Sequence, residues 1–161
     1  MRKIILICLL LFIVAGTIVS CGQKSSPESD FHIAFIDGGA NVEILNYRGN
    51  SQIINIPSKI QKRPVTEIRR SAFCGVQKSL YLTQIRIPNS VKTIDSYSFC
   101  CNRITSITIG RGVQFSTRNE GWGYSDETVG WREFENFYRS NNQQAGTYTR
   151  RDSSSREWSL N

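Results

Sequence analysis

VTEIRRSAF (residues 65–73) and VKTIDSYSF (residues 91–99) are one phrase written twice. Val65, Ile68 and Phe73 recur at one constant offset as Val91, Ile94 and Phe99. A linked phrase, LTQIRIPNSV (82–91), returns as ITSITIGRGV (104–113), so Leu82, Ile85 and Ile87 recur in the same order as Ile104, Ile107 and Ile109. A weaker copy, IINIPSKI (53–60), places Ile54 and Ile56 at equal distances ahead of Ile85 and Ile87. Aliphatic side chains at fixed places with a period of about 20 to 30 residues are the mark of a stacked solenoid. Such folds offer a surface to bind with more often than a pocket to react in.

Alternation assigns the faces within each repeat. In LTQIRIP, Leu82, Ile85 and Ile87 face inward, while Gln84 and Arg86 point outward. Pro57 and Pro88 end their strands because proline has no N–H to donate. Asn102 falls in a bend where a side-chain amide can bond turn backbone. Asn55, Arg86 and Thr108 hold one equivalent position in successive repeats and are expected to form a row. Gln84 and Ser106 flank it, and these residues together are the candidate partner-binding set.

The flanks read as caps. FHIAFIDGGANVEILNYRG (31–49) predicts a β-hairpin, with Phe31, Ile33 and Phe35 alternating into the turn Asp37-Gly38-Gly39 and Val42, Ile44 and Tyr47 beyond it. After the repeats, residues 114–130 read as a loop. Trp131, Phe134, Phe137 and Tyr138 then fall on one face of a short helix, which Ala145-Gly146 is expected to stop. GTYTR (146–150) and REWSL (156–160) are expected to pair as a second hairpin. The fold expected is mainly β: a short repeat solenoid, of the leucine-rich-repeat kind that its phrases resemble, with an N-terminal β-hairpin cap and a C-terminal helix-plus-hairpin cap. Its boundaries are 31–52 for the first cap, 53–115 for the repeats, and 116–161 for the loop and second cap.

The units VTEIRRSAF, LTQIRIPNSVKTIDSYSF and NRITSITIG resemble the BspA-like leucine-rich repeat family of bacterial surface antigens. The opening segment and the tail FENFYRSNNQQAGTYTRRDSSSREWSL are similar to segments that flank the repeats in that family. The chain departs from its pattern in having about two complete repeats and in placing Gly110 where proline is expected. The resemblance implies adhesion to host matrix, to other cells or to other envelope proteins.

The N-terminus reads as an export signal, residues 1–20. Arg2 and Lys3 precede an apolar run over residues 4–14, too short to span a bilayer core of about 30 Å as a permanent helix. IVSC (18–21) resembles the lipobox of bacterial lipoproteins, which makes Cys21 the expected lipidation site and membrane anchor. Residues 21–30 then hold the lipidated cysteine and a polar tether. The expected location is the outer membrane or cell surface. The formal charge of +7 falls to +5 when Arg2 and Lys3 are removed. Arg132, Arg139, Arg150, Arg151 and Arg156 crowd the end of the chain. That balance favours an acidic partner, a protein or an acidic polysaccharide on a host or neighbouring cell, and an exported protein seldom meets nucleic acid.

Catalytic chemistry is not expected. His32 is the single histidine, and neither a zinc site of the usual kinds nor a Ser-His-Asp arrangement can be assembled around it. Glu67 and Asp95 are expected in turns, and Asp126-Glu127 in the loop. No cofactor or metal is implied. Cys74 follows Phe73 and Cys100 follows Phe99, so stacking at about 4.8 Å would bring them within disulfide reach, leaving Cys101 as an odd thiol. The expected function is a lipid-anchored interaction protein of adhesin type. The alternative is a structural envelope component that self-associates without a soluble ligand.

Overall fold

The computed structural model describes residues 24–74, 81–95, 97–116 and 129–161. The expected lipidation site Cys21 and the acidic pair Asp126-Glu127 lie outside those residues. Two sheets share one core, and the chain passes back and forth between them. The first sheet runs β1 (Phe31–Ile36), β2 (Asn41–Tyr47), β5 (Arg63–Ile68), β7 (Thr93–Asp95) and β9 (Gln114–Ser116), with β4 (Lys59–Ile60) pairing β5 at its side. The second runs β11 (Ser159–Leu160), β10 (Gly146–Thr149), β8 (Ser106–Ile109), β6 (Gln84–Arg86) and β3 (Ile53–Asn55). The repeats therefore build two parallel stacks. β2, β5, β7 and β9 pair in parallel in one, and β3, β6 and β8 in the other.

Register follows the repeated aliphatics. Ile54 pairs Ile85 and Ile85 pairs Ile107, while Ile68 pairs Ile94 and Ile94 pairs Phe115. All of them are buried. Like side chains stacked on like exclude water over the length of each sheet, each burial contributing about 1.5 to 3 kcal/mol. The rings stack as well. Phe31, Tyr47, Phe73, Phe99 and Trp131 form a continuous ladder with centroid separations of 5.3, 5.7, 4.7 and 4.5 Å. Tyr47 precedes Phe73 by the same interval that separates Phe73 from Phe99.

Several expectations change. Residues 24–30 do not hang off the domain as a tether. Asn55 Nδ2 donates to the Lys24 carbonyl, the Ser26 N–H donates to the Asn55 carbonyl, and the Gln61 N–H donates to the Glu28 carboxylate. The loop expected from residue 114 starts later, since Gln114–Ser116 is strand β9, and Gly130 already lies in helix α1 (Val129–Ser140). Helix α1 ends at Ser140, ahead of Ala145-Gly146, because Asn142 and Gln143 take left-handed φ of 53° and 52°. Glu67 and Asp95 sit on β5 and β7 and not in turns. The N-terminal hairpin forms as read, with Phe31 opposite Tyr47 and Phe35 opposite Val42, and its second strand joins the parallel stack through β5.

The aromatic stripe of α1 turns inward. Trp131, Phe134 and Tyr138 are buried, and Phe115 meets all three rings edge-on at 6.0, 6.2 and 5.7 Å. The β10–β11 pair forms at Tyr148 with Leu160 and Thr149 with Ser159. Strand β10 also adds antiparallel to β8, placing Tyr148 beside Ile107. Among the described residues no helix is long and apolar enough to cross a membrane.

Candidate interaction surface

The outward face of β3, β6 and β8 is built by register. Asn55 pairs Arg86 and Arg86 pairs Thr108, so these three share one line across the sheet. Ile53, Gln84 and Ser106 form the neighbouring line. Strand β10 extends both, with Thr147 opposite Thr108 and Thr149 opposite Ser106. Together with the strand backbone, Ile53, Asn55, Gln84, Arg86, Ser106, Thr108 and Thr147 line a shallow depression of about 100 Å³. A hollow of that size is well below the roughly 300 Å³ at which small-molecule pockets begin. The shape suits contact with a surface.

Chemically the line is graded. Gln84 and Arg86 are exposed at its centre. Asn55, at one end, spends its amide on the Lys24 carbonyl at 3.0 Å. At the other end the Thr108 and Thr147 hydroxyls bond each other at 3.0 Å. The polar ends are thus tied down by the fold, and a cation and an amide stand between them. Ile53, at 48 % exposure, supplies an apolar contact beside them. Sequence reasoning does not single out Thr147 or Ile53. Helix α1 intervenes between β8 and β10, and no repeat phrase links the two strands, whereas Ile53 is legible as the copy of Gln84 in IINIPSKI.

The C-terminal arginines divide into two kinds. Arg150 is buried. Its Nε donates to the Ile104 carbonyl at 2.6 Å and its Nη1 to the Ser155 carbonyl at 3.0 Å, with the guanidinium 5.1 Å from the Trp158 ring. Burial pushes its pKa below the ordinary arginine value, opposed by Glu133 and Asp152. Arg139 lies 5.7 Å from the Phe115 ring and donates to that residue's carbonyl. Both hold structure. Arg151 and Arg156 are exposed and border a wide surface hollow with Glu157 and Ser159. The Asp152 carboxylate accepts from the Ser154 hydroxyl and from Arg151, which hold its pKa well below the carboxylate range.

Apart from the cysteines, the remaining residues of chemical interest do not converge among the described residues. His32 is exposed on β1 opposite Asn46. Glu67 neighbours Glu43 and Thr93 on its sheet, while Asp95 neighbours Ser116 and accepts the Tyr97 N–H at 3.1 Å. Cys74 and Cys100 are joined as a disulfide with Cα atoms 5.2 Å apart, and the Cys101 sulfur lies 3.6 Å from that of Cys74.

The repeats and register have a counterpart among known sequences. Residues 41–119 match the BspA type leucine-rich repeat region in six copies, a span that opens at β2 and closes just past β9. A solved leucine-rich repeat protein from T. pallidum is 22 % identical over 45 % of this chain and 43 % of its own, with a TM-score of 0.36. The chain thus spans less than half the length of that protein. No curated protein matches it. Repeats of this kind are in general modules for protein–protein interaction and carry no catalytic machinery of their own. Through residues 41–119 the chain belongs to the BspA-type leucine-rich repeat proteins.

Proposed function

We propose that this chain is a lipid-anchored envelope protein, a short capped solenoid whose β3–β6–β8 face captures a protein partner in the manner of an adhesin. The observation that carries the reading is the register-aligned line Asn55–Arg86–Thr108, extended by Thr147 and flanked by Gln84 and exposed Ile53. An arginine beside an apolar side chain on a flat strand surface is a common centre for a protein contact. The excess of basic residues favours an acidic protein, with acidic polysaccharide as the other candidate. Residues 1–20 serve as the export signal and Cys21 as the lipid attachment point. Lys24 is held against the edge of β3, and three residues of extended chain span at most roughly 10 Å. The first repeat would therefore ride close to the bilayer, and the domain could not swing freely.

Cells displaying the full chain, allowed to adhere to immobilised host or envelope proteins, provide the test. Replacing Gln84 and Arg86 by alanine is expected to reduce adherence about tenfold or more, in keeping with loss of central contacts, without lowering surface abundance. Undiminished adherence would remove this face from the function. Replacing Cys21 by serine is expected to release the chain from the membrane fraction. The alternative, a self-associating structural component, draws on the edge strand β1, where Phe35 is 47 % exposed. It requires concentration-dependent oligomers of the unlipidated chain in sedimentation, which the adhesin reading does not.

A further inference from the structure

Stacking brings three sulfurs to one place. Cys74 closes its phrase after Phe73, and Cys100 and Cys101 follow Phe99 one repeat later. Their Sγ atoms all lie within 4.8 Å of one another, and those of Cys74 and Cys101 are 3.6 Å apart. Cys100 is buried, and Cys74 and Cys101 are half-buried. Two features hold this triangle. Cys101 takes a left-handed φ of 62°, a conformation that glycine or asparagine adopts far more readily than cysteine. Asn102 then ties both repeats together, its Nδ2 donating to the carbonyls of Phe73, Phe99 and Cys100 and its Oδ1 accepting the Leu82 N–H.

We propose that Cys74, Cys100 and Cys101 form a redox-gated site for a soft monovalent d¹⁰ cation, Cu(I). Three thiolates around one metal at bonds of about 2.3 Å stand about 4.0 Å apart. That spacing lies between the 3.6 Å separating Cys74 from Cys101 and the 4.8 Å that bounds all three sulfurs. Reduction frees Cys74 and Cys100 to move apart to that distance. Thiolates select soft cations. The cluster offers three ligands among the described residues, which suits trigonal Cu(I) better than zinc, whose structural sites take four. Oxidised, the Cys74–Cys100 bridge withholds two ligands. A dithiol reductant opens it, passing two electrons and two protons to the cysteine sulfurs and becoming a cyclic disulfide itself. Binding one Cu(I) then releases three protons from the three thiols. The order of residues does not reveal the site, since no Cys-x-x-Cys or Cys–His spacing marks it and two adjacent cysteines meet a third only through the stacking of repeats.

The experiment uses the full chain with Cys8 and Cys21 replaced by serine, reduced with dithiothreitol, desalted anaerobically and titrated with Cu(I) against a chromogenic Cu(I) chelator. One equivalent is expected to bind, with sulfur-to-copper charge-transfer absorption, and the disulfide form is expected to bind at least tenfold more weakly. Cys101→Ser keeps the Cys74–Cys100 bridge, so its oxidised form should unfold at the parent's temperature while its reduced form loses at least tenfold in Cu(I) affinity. Equal affinity of the reduced parent and reduced Cys101→Ser would overturn the proposal. Binding of Zn²⁺ in preference to Cu(I) would also overturn it.

Discussion

A single side chain decides how firmly adjacent repeats are joined at their bends. Asn102 bridges the carbonyls of Phe73 and Phe99, which occupy equivalent places in successive repeats, and accepts the Leu82 N–H at 3.0 Å. Alanine would leave three carbonyls and one N–H with fewer partners, and such half-buried groups cost about 1 to 3 kcal/mol when orphaned. Asn102→Ala is therefore expected to lower the unfolding free energy by about 2 to 3 kcal/mol, read from urea denaturation. Asn102→Asp separates the two halves of the role. It keeps an acceptor for Leu82 but turns an acceptor toward the carbonyls, so it should be no better tolerated than alanine. Gly110 makes a similar point by close approach, because a Cβ there would stand 2.8 Å from the Asn89 side-chain oxygen and 3.2 Å from its Cα. The departure from proline at this position leaves room for the preceding bend.

Helix α1 and β10 meet the last repeat through tyrosine hydroxyls as much as through rings. Tyr138 Oη donates to the Gly110 carbonyl at 2.6 Å and accepts the Val113 N–H at 3.1 Å. Burial raises its pKa above the ordinary 10.0, opposed by the Val113 and Gly112 N–H groups and by Arg111. A phenol whose folded pKa is raised favours folding while it stays neutral. Its contribution is complete below 10.0 and is lost as pH climbs through the raised value. Tyr138→Phe is expected to cost about 1 to 3 kcal/mol at neutral pH. The variant should also lose less stability than the parent above 10.0, as followed by denaturant midpoints across that range. Tyr47 and Tyr148 are raised by burial too, so the alkaline loss should shrink without vanishing. At this scale the sequence is only partly readable. The helix is legible because Trp131, Phe134 and Tyr138 span whole turns of a helical period. Strands Thr93–Asp95 and Gln114–Ser116 are too short for alternation to register. The pairing of β10 with β8 is non-local and leaves no mark on either segment. Residues 24–30 are polar enough to suit water or a strand edge equally, so their docking through Ser26 and Glu28 has no sequence signature.

Across the whole molecule, stability depends on a ladder of rings that runs from the first hairpin to the helix. Phe99 is an inner rung, stacked 4.7 Å from Phe73 on one side and 4.5 Å from Trp131 on the other. In stacked repeats each unit is stabilised chiefly by its neighbours, so the loss of an inner rung is felt on both of its sides. Phe31 is the outermost rung, with Tyr47 at 5.3 Å on its inner side and 7 % of its surface exposed. Truncating the two rings should therefore have different consequences. Phe99→Ala removes a fully enclosed ring and is expected to cost about 3 to 5 kcal/mol, a large share of the roughly 5 to 15 kcal/mol that holds a typical domain. Amide hydrogen exchange in that variant should rise together in β5, β7, β8 and α1, since all of them adjoin the broken rung. Phe31→Ala should raise exchange chiefly in β1 and leave β8 and α1 protected. If Phe99→Ala instead left α1 protected while β5 opened, the helix and the repeats would be separate folding units, and the ladder would not be what joins them.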